Sequence, residues 1–528
     1  MSTRRGADGP RLSFIKNACQ RLSSSGFLED RRFHACLIAA MSLLVLFAKL
    51  HQGDLGGYDA AVYAHEGKQM LATGEWWTVY LNGQPDFDKP PMFIWLEALS
   101  MAVFGVSDFA ARFPSALLGF GSILLVYFIA RELTTSYWLP VWAMMILFCT
   151  HTFMRFAMRA MTDVPFTFFF ELAVLFHLVG LRRRRYFILC GIAISLAVLT
   201  RSFLGLIPLG VILAHLVVTG RAYLLRSKYF IAGTLLAVAL PLVWFVSQYH
   251  IHGGKFLALH SSFTFDNLPL TNGKRAGQFG AGLFQYPLFL LESYWPWLPL
   301  MVAGIWTQTK KAIYERDSMS SLLIIWVLAL IAPFSLAEFK WLRYILPAFP
   351  AFAILSAITL NDWVPAHRRR FFLKAVYVVL CLTMVGLALN PKYRVRPEEL
   401  RRLAPVAEAA TSPERRILLY TERVPRDAHM FQIIWYADRY CELLSNANDA
   451  IVKLEREPNA AVIMDKEIFR TSIIPAASAA DQSIKILGET EGFVCWAKVR
   501  QSAPDAPNAM EANPVEARNK ADSVPRSY

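Results

Sequence analysis

Long apolar stretches recur along the chain as far as about residue 390, and short polar connections separate them. A transmembrane helix needs about 20 mostly apolar residues, and several stretches reach or approach that length. They predict transmembrane helices near residues 34–50, 113–131, 137–153, 164–181, 186–200, 203–219, 229–247, 286–306, 321–336, 343–360 and 371–389. We therefore expect a mainly α-helical, polytopic membrane protein with about 11–13 transmembrane helices and a transmembrane domain over residues 34–390.

The basic residues of the connections are distributed unevenly between the two sides of the membrane. With the basic segment 1–33 in the cytoplasm, alternation of the spans places the clusters 182–185, 310–311 and 368–370 on that same side. An excess of Lys and Arg marks the cytoplasmic side of a membrane protein. We therefore expect a multi-pass protein of a bacterial inner membrane, with a cytoplasmic N-terminus and with the chain after residue 390 in the periplasm.

Composition supports the membrane class and argues against nucleic acid as a partner. The 528 residues are 55% hydrophobic and only 18% charged, with a mean hydropathy of +0.36, whereas soluble proteins carry about 25% charged residues. A net charge of +14 would suit nucleic acid. The basic residues lie in the connections between spans, however, where membrane topology accounts for them. The lipid bilayer is therefore the expected environment.

The first periplasmic connection is long and contains two helix-like segments. Asp59, Tyr63 and Glu66 lie on one stripe of the first segment because their spacing is i, i+4 and i+7. The second segment, residues 90–104, is apolar but too short to cross a bilayer. We expect helices lying at the periplasmic membrane surface over about residues 58–105.

The chain after the last apolar stretch has a different composition. Residues 391–500 are of mixed polarity and predict a small soluble α/β domain, with strands at 417–420, 432–435, 461–464 and 492–496. Residues 501–528 are rich in Pro, Ala, Asn, Ser and charge, which predicts a disordered tail. Cys441 and Cys495 either pair in an oxidising compartment or are two separate buried thiols, because the sequence does not give their distance.

Two charged residues of the first connection are candidates for chemistry. Asp59 follows two glycines and opens a helix, so it is either an N-cap or a carboxylate at the membrane surface that acts as a general base. Lys89 directly precedes a helix N-terminus, where lysine and exposed backbone N–H groups form a good phosphate site. The alternative for Lys89 is a lysine that snorkels to the membrane interface.

Other charged residues fall on the same predicted face. Asp163 lies at the outer end of a span, where an ionisable side chain is costly and therefore a functional candidate, unless it caps the helix. Arg201, Lys340 and Arg343 are cations on the side that normally carries few of them. They either bind a phosphodiester or form salt bridges with carboxylates such as Asp163, and their number on one face favours the phosphate site.

A metal site is the remaining possibility that the residues raise. His260 lies in the outer connection 248–285 and is either structural or a ligand; with Asp88 it could hold a divalent metal ion, although two ligands are too few to define a site. No HExxH, GxSxG, Walker or GxGxxG signal stands out. ATP hydrolysis and hydride transfer are therefore not expected, and no cofactor other than a divalent metal ion is indicated.

The motifs of the first connection resemble those of the lipid-carrier-dependent C-type glycosyltransferases, and in particular the bacterial lipid A aminoarabinose (4-amino-4-deoxy-L-arabinose) transferases and the protein O-mannosyltransferases. The family pattern runs Asp-Glu, Tyr-Ala, Gly-Asp-Trp, Leu-Asn-Gly, Glu/Asp-Lys-Pro-Pro, Trp and Phe-Gly. The chain has, in order, Asp59, Tyr63-Ala64, Gly74-Glu75-Trp76, Leu81-Asn82-Gly83, Asp88-Lys89-Pro90-Pro91, Trp95 and Phe104-Gly105. Weaker matches follow at Thr162-Asp163, Thr200-Arg201-Ser202-Phe203 and Tyr344-Ile345-Leu346-Pro347.

This resemblance implies an inverting transfer of a sugar from a polyprenyl (undecaprenyl) phosphate donor by a protein with the C-type glycosyltransferase fold. It implies that Asp59 is the catalytic carboxylate acting on the acceptor and that Asp163 lines the same cavity as a second catalytic carboxylate. Tyr63 and Tyr344 would line the substrate cavity. The donor phosphate would be bound, and its charge stabilised as it leaves, by Lys89, Arg201, Lys340 and Arg343. Asp88 and His260 stand where relatives have a metal-associated pair.

The chain also departs from the family pattern. Ala60 replaces the Glu that usually follows the first Asp, and the motif near Lys340 is altered. The implied acceptor is lipid A or lipopolysaccharide on the periplasmic face, and the alternatives are a protein or glycan acceptor, as in a protein O-mannosyltransferase. A flippase of lipid-linked sugars is a further alternative, although no internal repeat typical of transporters is visible, and a structural subunit is a third.

Overall fold

The computed structural model describes residues 30–55, 57–266, 285–336, 340–365, 368, 377–378, 399–423, 426–457, 459–479 and 483–498. As far as residue 365, the helices of the described residues are interrupted by turns and by one short hairpin. Its α-helices there are α1 (Arg31–Phe47), α2 (Tyr58–Thr73), α3 (Met92–Phe104), α4 (Asp108–Leu133), α5 (Leu139–Phe148), α6 (His151–Ala157), α7 (Asp163–Arg182), α8 (Tyr186–Arg201), α9 (Ile207–Val218), α10 (Lys228–His252), α11 (Gly254–Asp266), α12 (Gln285–Ser293), α13 (Leu298–Lys310), α14 (Ser318–Leu336) and α15 (Phe349–Trp363).

Several of these helices are suited to crossing a membrane. Within the described ranges, six stretches are long and apolar enough, and a seventh span results if the bent pair α5 and α6 is counted as one. The six are Asp108–Leu133, Asp163–Arg182, Tyr186–Val218, Lys228–His252, Ser318–Leu336 and Leu342–Trp363. The protein is therefore a multi-pass membrane protein, and its mainly helical class is confirmed.

The predicted spans fall on helices wherever the structure describes the chain. Those near 34–50 and 286–306 fall on α1 and on α12 with α13, which are shorter individually than a full span. The predicted span at 371–389 lies outside the described residues apart from 377–378. The predicted disordered tail and most of the basic N-terminal segment also lie outside them.

The apolar stretch Tyr186–Val218 is interrupted where the sequence predicts a connection. Ser202 has φ 53°, and a 3₁₀ turn (Ser202–Leu206) follows α8 directly. A Cβ at Gly205 would lie 2.2 Å from the backbone nitrogen of Val198, so the turn packs directly on α8 and only glycine fits there. The reversal places Arg201 at the end of α8, next to the N-terminus of α7.

The first connection contains both expected helices and one element that the pattern did not predict. Strands β1 (Val79–Leu81) and β2 (Gln84–Asp86) pair antiparallel between α2 and α3. Gly74, in the left-handed conformation at φ 71°, ends α2, as glycine commonly does. The hairpin returns the chain towards α2, which brings the Asp88-Lys89 segment close to the helix that carries Asp59.

The C-terminal part folds around a mixed five-stranded sheet in the order β4-β3-β5-β7-β6. The first three of these strands are parallel, and β7 runs antiparallel to β5 and β6. Its elements are α16 (Glu399–Ala410), β3 (Ile417–Tyr420), α17 (Arg426–Tyr436), β4 (Cys441–Leu443), α18 (Asp449–Arg456), β5 (Val462–Asp465), α19 (Lys466–Ile468), α20 (Ile474–Ala479), β6 (Ile484–Glu489) and β7 (Phe493–Lys498).

One strand prediction in this part is wrong. Residues 432–435 belong to α17, not to a strand. The short run of apolar residues fits either element, but Phe431, Ile434 and Trp435 have the i, i+3, i+4 spacing of a helix face and are all buried. The helix lies over the edge where the sheet meets the first connection.

The two cysteines of this part are separate buried thiols. Cys441 lies on the edge strand β4 and Cys495 on β7, and both are free. Two strands lie between them, which at about 4.8 Å per strand step puts them well beyond disulfide distance. The sheet order therefore supports two separate thiols and not a disulfide.

Candidate active site

Asp59 stands at the start of α2 and faces a different part of the chain. Gly57 occupies the N-cap position, and no side chain caps the helix. The Asp59 carboxylate is instead in an ion pair with the guanidinium of Arg343, and both side chains are about one-fifth exposed. Arg343 lies in the 3₁₀ turn Leu342–Ala348 that leads into α15. This ion pair joins the first connection to the last described span.

A second ion pair joins the N-terminus of α7 to the C-terminus of α8. Asp163, only 2% exposed, pairs with the guanidinium of Arg201, whose Nε also donates to Thr162 Oγ1 at 3.1 Å. The other carboxylate oxygen, Oδ2 of Asp163, has no hydrogen-bond partner within the described residues. A buried acceptor without a partner is costly, so this oxygen is available to a ligand.

Lys89 lies near both ion pairs. Its ammonium sits 4.3 Å from the ring centroid of Tyr63, an attractive cation–π geometry. It lies within electrostatic range of both ion pairs, formed by Asp59, Asp163, Arg201 and Arg343. Three cations and two carboxylates from five separate segments therefore meet at one place.

The charged groups of this cluster shift one another's pKa values. Burial raises the pKa of Asp59, but Lys89 and Arg343 lower it by more, so the net pKa lies below the ordinary value. Burial lowers the pKa of Lys89 to about 8, although Asp59 opposes the shift. Asp59 is therefore ionised throughout the neutral range. A further negative partner would stabilise the charged form of Lys89.

Three further carboxyl groups, of Glu66, Asp86 and Asp88, lie beside this cluster, and sequence reasoning missed Asp86 among them. Asp86 and Glu66 lie close to each other, and burial raises the pKa of both carboxyls. Burial, with Asp86 and Asp59, also raises the pKa of Asp88 to about 7. The spacing Asp86-Phe87-Asp88 was the signal that could have indicated paired carboxylates here.

The remaining predicted site residues lie around this cluster. Tyr63 is buried and packs edge-on against Phe93. Tyr344 stacks on Phe334 at 5.4 Å between ring centroids, and the Arg343 guanidinium carbon lies 5.9 Å from the Tyr344 ring centroid. Lys340 is half-buried just ahead of this turn. The roles of these residues stay predictions.

The predicted metal pair does not have the geometry of a metal site. His260 uses Nδ1 to contact the carbonyl oxygen of Phe87 at 2.6 Å and Nε2 to contact Ser202 Oγ at 3.0 Å, so both ring nitrogens have partners. In the part of the chain that the structure describes, no three His, Cys, Asp or Glu side chains are grouped to hold a metal ion. The residues as placed do not fit a metal, and a site at Asp88 and His260 stays a prediction.

The arrangement fits a singly or doubly charged phosphate better than other ligands. Lys89 is a point charge, and Arg201 and Arg343 can each present a bidentate fork to phosphate oxygens. Two carboxylates already hold the arginines in position, which reduces the ordering that binding requires.

Comparison with known proteins finds relatives that match most of the chain. Residues 88–246 match the family model described as dolichyl-phosphate-mannose-protein mannosyltransferase. An uncharacterized protein of Aquifex aeolicus is 31% identical over 360 residues, covering 68% of this chain and 70% of the relative. An undecaprenyl phosphate-alpha-4-amino-4-deoxy-L-arabinose arabinosyl transferase of Aeromonas hydrophila is 27% identical over 378 residues, 68% of each chain.

Solved structures share the fold. ArnT from Cupriavidus metallidurans, crystallised with undecaprenyl phosphate, superposes with a TM-score of 0.68 at 19% identity, covering 89% of this chain and 99% of that one. The oligosaccharyltransferase of Archaeoglobus fulgidus gives a TM-score of 0.53 at 14% identity, covering 82% and 69%. Because identity is this low, these likenesses establish the fold only.

The fold and these relatives define a membrane glycosyltransferase of the C-type fold. The chain belongs to the lipid-carrier-dependent branch of these enzymes, which use polyprenyl-phosphate-linked sugars, and its relatives include the aminoarabinose transferases. The family and the enzyme class expected from the first connection are thereby confirmed.

Proposed function

We propose that the protein transfers a sugar with inversion from undecaprenyl phosphate to lipid A, or a similar lipopolysaccharide acceptor, on the periplasmic face of a bacterial inner membrane. The observation that carries this proposal is the convergence of Lys89, Arg201 and Arg343 beside Asp59 and Asp163. The N-terminus would be cytoplasmic, and the C-terminal sheet periplasmic. The names of the aminoarabinose transferase relatives support this choice of carrier.

The three cations would bind the phosphate of the donor. In the reaction an acceptor oxygen attacks the anomeric carbon of the sugar, and the bond from that carbon to the phosphate oxygen breaks. The electron pair of that bond leaves with undecaprenyl phosphate, whose negative charge increases. Cations held in place before the reaction stabilise such charge at little cost in reorganisation, and Lys89, Arg201 and Arg343 would do so here.

The state of Asp59 bears on the acceptor. A carboxylate whose pKa is held below its ordinary value is a weak general base. An acceptor that is already ionised, such as a phosphate of lipid A, needs no proton removed. The ion pair with Arg343 therefore favours a phosphate acceptor over a sugar or serine hydroxyl, and Asp59 would orient that acceptor through Arg343.

A protein O-mannosyltransferase-like reaction is the second candidate. The matched model of the mannosyltransferase family, over residues 88–246, favours it, because this range includes Lys89, Asp163 and Arg201. A hydroxyl acceptor would then need Asp59 to accept a proton, and the pH dependence of transfer separates the two candidates.

Replacing Asp59 tests the proposal. We expect Asp59→Asn to lower transfer by roughly 100-fold, the size typical of a lost electrostatic group at a reacting centre. Transfer is measured as the gain of one glycosyl unit on lipid A, by mass spectrometry of cells that carry the variant or the wild type. In parallel, the purified variant should still bind undecaprenyl phosphate, because its cations remain.

Asp449, half-buried at the start of α18 in the C-terminal part, serves as the matched control, and Asp449→Asn should transfer like the wild type. Wild-type transfer by Asp59→Asn would exclude the assigned role. Transport of a lipid-linked sugar without any glycosyl gain on an acceptor, in wild-type proteoliposomes, would favour the flippase instead.

A further inference from the structure

The C-terminal domain contacts the helix that carries Asp59 at several points along its length. At the start of α2, the Leu55 N–H donates to Tyr436 Oη at 2.9 Å, and Gln432 donates to the Leu55 carbonyl at 3.4 Å. Tyr58 packs edge-on against Phe431 with ring centroids 5.2 Å apart. All three partners belong to α17. The segment immediately before Asp59 is therefore held by a different domain.

The contacts continue along α2 towards its C-terminal end. Lys68 forms an ion pair with Asp438 at 2.6 Å and donates to the carbonyls of Trp435 and Ala437. One apolar cluster includes residues of both parts, for example Ala61 of α2 and Ile417 of the sheet. Because the two parts share a core, a shift of the domain shifts α2.

Asp108 is the centre of this attachment. It is the first residue of the span α4 and is 6% exposed. Its carboxylate accepts from Trp435 Nε1 at 2.8 Å and from the Tyr436 hydroxyl at 3.3 Å, and it forms an ion pair with Arg401 at 3.2 Å. Two helices of the C-terminal domain thus meet the end of a membrane span at one buried carboxylate.

The chain before Asp59 is also held from α4, by a residue one helical turn after Asp108. Arg112 is 8% exposed, and its guanidinium donates to four backbone carbonyls of residues 50–54, among them those of Leu50 and Gln52 at 2.8 Å. Such use of a buried arginine satisfies its donors without a carboxylate partner. The chain that leads into Asp59 is therefore held between α4 and α17.

We propose that Tyr436 and Trp435 of the C-terminal domain, with Asp108 and Arg112, are positioning residues that set the place of Asp59 against Arg343 and Lys89. The inference rests on the proposed function, in which Asp59 acts at the reacting centre. Tyr436 is the connecting group, because its hydroxyl contacts both the segment before Asp59 and the carboxylate at the head of α4. A displacement of about 1 Å at a reacting centre costs as much as 100-fold in rate.

Removal of one hydroxyl tests this role in the full-length protein. We expect Tyr436→Phe to lower kcat roughly tenfold, because Asp59 is held less firmly, while the Kd for undecaprenyl phosphate and the thermal midpoint stay close to the wild type. The matched control is Tyr440→Phe. Tyr440 lies on the same interface and its hydroxyl contacts Gln69, near the far end of α2 and away from Asp59, so this variant should keep the wild-type kcat.

Hydrogen–deuterium exchange provides a readout that does not require activity. Amides of residues 51–60 should exchange faster in Tyr436→Phe than in Tyr440→Phe or the wild type. Equal exchange in the two variants would overturn the inference, as would equal kcat, or a loss of undecaprenyl phosphate binding as large as the loss of kcat. A wild-type protein without transfer would instead refute the proposed function, and the exchange comparison would still decide whether the domain holds this segment.

Discussion

At the scale of single residues, the structure separates the alternatives that the sequence leaves open. Asp59 is not the cap of its helix, because Gly57 holds that position and the carboxylate pairs with Arg343. Thr162 precedes α7 as its N-cap residue, and Asp163 pairs with Arg201. The salt-bridge alternative given for the cations therefore applies to Arg201 and Arg343. Phosphate binding by the same arginines stays a prediction, since salt-bridged arginines retain donors for a ligand.

Lys89 provides the clearest residue-scale prediction. We expect Lys89→Met to weaken undecaprenyl phosphate binding by roughly 10-fold to 100-fold, because a hydrogen bond between charged groups contributes about 1.5–3 kcal/mol. Methionine keeps an unbranched side chain but removes the charge that lies over the Tyr63 ring. Binding of the lipid to the purified protein in nanodiscs measures the effect.

Lys255→Met is the matched control, since Lys255 is exposed on α11, and it should bind like the wild type. Unchanged affinity in Lys89→Met would remove Lys89 from the phosphate site.

At the scale of elements, the packing of α2 on α3 encloses a carboxyl group that the sequence pattern did not single out. Glu97 is fully buried, and neither of its oxygens has a hydrogen-bond partner among the described residues. A Cβ at Gly67 would lie 3.1 Å from the Glu97 Cβ, so the glycine lets the two helices approach at this point. Burial raises the pKa of Glu97 well above its ordinary value.

This buried carboxyl makes stability depend on pH in a defined direction. A raised pKa in the folded state means that Glu97 stabilises the fold fully below its unfolded pKa, about 4.3, and that this contribution falls as pH rises towards the folded value. We expect Glu97→Gln to remove this loss of stability at higher pH. The thermal midpoint of this variant, measured in detergent, should therefore rise relative to that of the wild type as the pH increases from 5 to 8.

Glu414→Gln, at an exposed position, should show no such gain. A difference between Glu97→Gln and the wild type that is constant across this pH range would show that Glu97 does not titrate in the way described.

At the scale of the whole molecule, the site exists only when distant segments are assembled. Asp59 and Arg343 are 284 residues apart, and Arg201 and Asp163 are 38 apart. The C-terminal domain adds contacts to α2 from residues more than 360 positions away. A ligand that bridges these segments therefore binds the folded protein and not the unfolded chain.

Mass action then predicts stabilisation by the carrier lipid. At a free concentration of 100 times its Kd, undecaprenyl phosphate should add about 2.7 kcal/mol to the free energy of unfolding. A thermal shift in detergent measures this gain. Undecaprenol, which lacks the phosphate, should produce a much smaller shift, and equal shifts from the two lipids would show that the cations do not bind the phosphate.

The sequence alone determined the membrane class, the positions of most described spans and the family of the first connection. Apolar length and the Asp88-Lys89-Pro90-Pro91 motif are local properties of the chain, so they can be seen without coordinates. The strand prediction at 432–435 was wrong because a short apolar run fits either a strand or a helix, and only its neighbours in space decide between them.

Only the tertiary structure decided which charges meet. The pairing of Asp59 with Arg343, the approach of Lys89 to both ion pairs and the attachment of α17 at Asp108 all join segments far apart in the chain. Electrostatic and hydrogen-bond energies depend on distance in space, and no local pattern of residues specifies that distance. The hydrophobic pattern therefore places the protein in the membrane, and packing in three dimensions assembles its site.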